Sequence, residues 1–151
     1  MDWYYPVLCG ALVGEAGRRR LIGDWSTFVM DGLGVRCVST GDWVTAAETA
    51  ECVLALDGLG MRDTAMELFV AGQNLRLDDG SYWTGMVFPE RITFPKHERT
   101  TYTFAAMILA ADALSSTTPA AGLFRGECLP AALDLAEPHC SGDGVAGCTL
   151  N

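Results

Sequence analysis

Positive charge, long uncharged apolar runs and closely spaced cysteine pairs are all scarce in this sequence, and each scarcity excludes something. Ten Lys and Arg stand against nineteen Asp and Glu, for a net charge of −9. The basic residues cluster only at Arg18-Arg19-Arg20. Binding nucleic-acid phosphates needs a positive surface, so a nucleic-acid partner is disfavoured and the Arg run reads as a solvated helix end. The longest uncharged apolar stretch, Phe104 to Ala111, falls far short of the ~20 residues that span a bilayer. Met1 leads directly into Asp2 and Trp3, without the basic region and apolar run of a secretory leader, so the expected compartment is cytoplasmic. The six cysteines form no Cys-x-x-Cys pair and read as reduced, mostly core thiols. His139, Cys140 and Cys148 make at most half a metal site in a Gly-rich tail with no clear fourth ligand.

What is present is a core. Of 151 residues, 50% are apolar and only 19% charged, the balance of one globular domain. Two segments, GDWVTAAETAECVLALDGLG from Gly41 and HERTTYTFAAMILAADALSS from His97, are apolar on most faces and read as buried inner helices. A shift of 55 residues pairs Asp57 with Asp112, Thr45 with Thr100, Ala50 with Ala105 and Leu54 with Leu109, a weak internal repeat. Arg62 to Leu75 and the chain from Pro119 follow as outer helices, with Gly60 as a helix C-terminal glycine and Thr118-Pro119 as a helix start. Trp3 to Gly14, a break at Gly17 and Leu21 to Met30 give a third pair. Met86 to Phe94, with two prolines nearby, reads as a long loop or at most a short ribbon. The expected fold is therefore all-α, a stack of about three antiparallel helical hairpins, with one hairpin-repeat domain over 1–124 and a diverged, loosely ordered tail over 125–151.

Phe69, Gln73, Gly80 and Trp83 follow one another in the order of a Gln-Trp turn. This turn resembles the QW repeat of the terpenoid cyclase and squalene-hopene cyclase superfamily, in which the glutamine amide ties helix ends and the tryptophan stacks on it. The resemblance implies an α/α-toroid, of which three hairpins are half, and a prenyltransferase- or cyclase-like protein acting on an isoprenoid diphosphate. The segment Asp79-Gly80-Ser81-Tyr82-Trp83, followed by Arg99 to Phe104, is also similar to protein prenyltransferase β-subunits. Arg99 and Thr101 stand where that family carries zinc-binding Asp and Cys, so zinc is not supported. The Asp-x-Asp-Asp and Asp-Asp-x-x-Asp motifs are missing; Asp78-Asp79 is the nearest approach to a magnesium clamp, and such a pair is more often a helix cap or solvated turn.

On this reading the substrate cavity is lined by Trp3, Tyr4, Tyr5, Trp43, Trp83, Thr101 and Tyr102, with Asp78, Asp79, Glu48 and Glu98 as candidate catalytic acids. Aromatic faces there stabilise cations, or simply fill the core. Glu48 and Glu51 interrupt an otherwise apolar helix and either face a cavity or form a surface stripe. Two other functions fit the same skeleton. One is a carbohydrate-active toroid enzyme, a glycoside hydrolase or lyase using Glu48 with Glu98 or Asp78 with Asp79 as its two carboxylates. The other is a non-catalytic helical-repeat module, a truncated toroid whose open face pairs with a second copy or a completing chain.

Overall fold

The computed structural model of the chain describes residues 3–127. Helices and a sheet share the core. Helix α1 covers Tyr5–Leu8, α2 Gly14–Gly23 and α3 Trp25–Phe28; strands β1 (Val29–Met30), β2 (Gly34–Arg36) and β3 (Trp43–Thr45) follow. The long helices α4 (Ala46–Gly58) and α5 (Arg62–Gly72) come next, then β4 (Gly85–Val87), β5 (Ile92–Thr93) and α6 (Thr101–Ser115). The strands form one antiparallel sheet in the order β1-β2-β3-β4-β5, with Val35 opposite Thr45 and Val44 opposite Met86.

The expected all-α toroid half is thus corrected to a mixed fold, a five-stranded antiparallel sheet with helices. The strands are two or three residues long, too short to show an alternating pattern against their helical surroundings. Trp43 to Thr45, expected to open a helix, instead pairs on both sides. Thr49 ties sheet to helix: its hydroxyl donates to Thr45 O at 2.6 Å and accepts from Val35 N at 2.9 Å. Gly34 makes that approach possible, since at φ +128° a Cβ would lie 2.7 Å from Thr49 Oγ1.

Of the three expected hairpins, α4–α5 forms. Its turn is a Schellman motif, with Gly60 N donating to Asp57 O, Met61 N to Leu56 O and Gly60 at φ +70°. The first hairpin does not form as expected. Gly17 sits inside α2, buried, where a Cβ would lie 2.7 Å from Leu59 Cδ2; it is a packing glycine, and no break follows. The arm from Pro119 is a 3-10 turn at Leu123–Arg125, and the rest of the expected tail lies outside the described residues. Met86 to Phe94 is the β4–β5 ribbon.

Helix α4 is the axis of the core. Every residue of it except Glu48 and Gly58 is buried, packed by α1, β2, α5 and α6, which explains an apolar surface on all sides. Helices α4 and α6 run in the same direction: Tyr102 meets Glu51 near their starts, while Arg125 joins Asp57 to Ala113 O near their ends. Their first residues, Ala46 and Thr101, are 55 apart, the shift of the internal repeat. Among the described residues no helix is long and apolar enough to cross a membrane.

Candidate active site

The starts of α4 and α6 lie at one end of the core. Ala46 N donates to Thr84 O at 3.1 Å and Thr84 N donates to Glu98 O at 2.9 Å, so one residue bridges the two helix entrances. Glu48 and Glu51 follow within the first turns of α4, three residues apart and so on one face. Glu98 precedes α6, exposed. The Thr84 hydroxyl is buried here without a hydrogen-bond partner among the described residues.

Glu51 is buried, yet among the described residues no cation accompanies it in its hydrogen bonds: Tyr4 donates its hydroxyl to Oε2 at 2.5 Å and Tyr102 donates to Oε1. Tyr5 completes the group, its ring edge-on to Tyr4 with centroids 4.9 Å apart and its hydroxyl in contact with Tyr102 and Glu51. Burial, then the hydrogen bond and charge of Glu51, push the phenols of Tyr4 and Tyr102 far above their usual range. Although its hydroxyl reaches a buried acid, Tyr102 is 54% exposed, so the carboxylate lies one side chain below the surface. Glu48, half-buried, accepts from the Thr45 hydroxyl and from the Cys37 thiol at 3.6 Å. Burial and the Glu48 charge push that thiol up to about 11.

The other residues singled out from sequence are placed as follows. Trp3 is buried, stacked on Phe28 at 5.1 Å and donating to Arg20 O. Trp43 donates to Phe94 O at 3.0 Å and meets its ring edge-on. Trp83 lies 5.8 Å from the His97 ring and 5.9 Å from the Arg99 guanidinium. Thr101 is exposed at the start of α6. Asp78 is exposed in the turn, and Asp79 closes it: Oδ1 accepts from Ser81 N and Oγ, Oδ2 from Arg99. The Ser81 hydroxyl, with Arg99 adding its charge, holds Asp79 below the usual carboxylate range. In the Gln-Trp turn Gln73 does reach a helix end, donating to Phe69 O, but its aromatic partner is the Tyr82 hydroxyl at 2.8 Å. The order of residues matched the family turn while Tyr82 took the bonded position.

Sequence reading ranked Glu48 above Glu51. The signal for Glu51 was available in the cost of placing an acid in an apolar helix, but its tyrosine partners are 47 and 51 residues away and carry no local pattern. Among the described residues no three His, Cys, Asp or Glu side chains converge as metal ligands; His139, Cys140 and Cys148 lie outside them.

No protein-family profile matches the chain. It is similar to a glycoside hydrolase, the MMP endo-(1,4)-3-O-methyl-alpha-D-mannosidase of Mycolicibacterium hassiacum, at 58% identity over 134 residues. The match takes in 89% of this chain, which spans 37% of the length of that enzyme. This relative, together with the sheet, overturns the resemblance to terpenoid cyclases and prenyltransferases and with it the expected isoprenoid substrate. The carbohydrate-active alternative is the one that agrees with the relative.

Proposed function

We propose that the chain takes part in glycoside hydrolysis, cleaving inside α-(1,4)-linked mannose chains that carry 3-O-methyl groups. The observation that carries this reading is the 58% identity to a mannosidase named for that bond. The end of the core where α4 and α6 begin supports it. Glycosidases need an acid to protonate the leaving oxygen and a carboxylate to activate water or attack the sugar carbon. Glu48 and Glu51 put two carboxyl groups on one helix face. With hydroxyl donors on both its oxygens, Glu51 is assigned as base or nucleophile. Glu48, half-buried beside it, is assigned as the acid. Glu98 shares this end of the core through Thr84 and is the alternative acid. Tyr5 and Tyr102 supply ring faces of the kind that sugars stack on.

The test is product analysis by mass spectrometry after incubation of the chain with a 3-O-methylated α-(1,4)-oligomannoside, for the native protein and for Glu48→Gln, Glu51→Gln and Glu98→Gln. Shorter methylated products from the native protein, lost in the first two variants, are expected. A folded native protein that leaves the oligosaccharide intact would sink the proposal. Loss in Glu98→Gln with Glu51→Gln active would move the pair to Glu48 and Glu98.

A further inference from the structure

A cavity of about 610 Å³ is lined by Tyr5, Pro6, Leu8, Cys9, Ala11 and Phe124 and runs from Tyr5, at the carboxylate cluster, to Phe124, whose carbonyl lies against Gly58 near the end of α4. Its volume lies within the ~300–1,000 Å³ range of small-ligand pockets. The side chains around it are almost wholly apolar; the Tyr5 hydroxyl, the one strong hydrogen-bonding group among them, is engaged at Glu51 and Tyr102. Tyr5 thus belongs both to this cavity and to the Glu51 cluster, so a sugar unit held at the Tyr5 end of the cavity adjoins Glu51. Among its walls, Cys9 uses its thiol on Pro6 O at 3.6 Å.

Such a lining discriminates between two forms of one sugar. A free 3-hydroxyl laid against this wall finds no side-chain partner, whereas a methyl ether has no donor to satisfy and adds a carbon that packs on the apolar surface. We propose that the cavity of Tyr5, Leu8, Ala11 and Phe124 is the subsite that selects 3-O-methylated over unmethylated mannose units. This rests on the glycoside hydrolase reading above and adds the residues that set its specificity. A single methyl group in an apolar pocket discriminates by about 10- to 200-fold, which is the expected size of the preference.

The experiment is calorimetric titration of the whole chain with two α-(1,4)-mannotetraoses, one fully 3-O-methylated and one unmethylated. The native protein, Ala11→Asp and Leu8→Gln are compared. Ala11 is exposed, so its variant folds even if the more buried Leu8→Gln does not. The methylated sugar is expected to bind at least about tenfold more tightly to the native protein, with the preference lost in Ala11→Asp and kept in Asp79→Asn. Equal binding of the two sugars, or a preference that survives in Ala11→Asp, overturns the subsite; cleavage of the methylated oligosaccharide alongside such a result leaves the glycosidase reading standing. Binding of neither sugar overturns both.

Discussion

The two ends of α4 each bury a carboxylate, and their partners differ in kind. At the C-terminal end Asp57, 4% exposed, is gripped by Arg62 at 3.0 Å and Arg125 at 2.5 Å. Arg62 also donates to Leu114 O and Arg125 to Ala113 O, closing the end of α6. Toward the N-terminal end Glu51 receives only tyrosine hydroxyls. An acid neutralised by two guanidiniums that also cap a neighbouring helix is fully committed to holding elements together. An acid held by phenols has no cation among its hydrogen-bond partners in the described residues and lies one side chain below the surface. The same helix thus carries a structural pin at one end and a reactive candidate at the other.

The comparison breaks most sharply through paired variants. Glu51→Gln is expected to lower hydrolysis by about 10²- to 10⁴-fold, the usual contribution of an acid or base group, with little change in thermal unfolding, because the amide still accepts from one tyrosine. Asp57→Ala is expected to do the reverse. Removing the buried acid that two partly exposed guanidiniums share should cost about 1–3 kcal/mol in chemical denaturation, with activity per folded molecule unchanged. Equal loss of stability in both variants would erase the distinction between the two ends.

Gly34→Ala should cost about 1–3 kcal/mol, through strain at positive φ and the clash with Thr49. Denaturant midpoints would check this, and a neutral result would mean that the sheet does not sit this closely on α4. Alkali should act on the tyrosine end. Cys37, Tyr4 and Tyr102 all titrate higher in the folded protein than in the unfolded chain. Their contribution is therefore complete below the unfolded values and is lost as pH rises from about 8.5. Stability should decline from there through pH 11 and beyond, less steeply in Tyr4→Phe and Cys37→Ser, as read by unfolding midpoints across pH. The smallest effect is expected for Asp79→Asn, at an exposed position of its turn: unchanged cleavage of the oligosaccharide, which a loss of activity would contradict.

Sequence alone was enough to locate α4, α5 and α6, to set α4 and α6 in matching register through the 55-residue repeat, and to mark Gly60 as the end of α4. Each rests on local chemistry: helical periodicity, a glycine tolerant of positive φ, and acids that stand out among alanines and leucines. The family resemblance failed because a Gln…Gly…Trp order is a one-dimensional pattern, and Tyr82 satisfies the glutamine here as well as a tryptophan would. Only tertiary structure decided the rest. Strands of two or three residues exist because Val35, Val44 and Met86 are paired and buried in the core, a gain absent from any short window of sequence. Gly17 reads as a break until Leu59 packs on it. Likewise Glu51 and Asp57, six residues apart on one helix, differ in role only because the folded chain brings tyrosines to one and arginines to the other. The energy of a buried charge depends on what surrounds it in space.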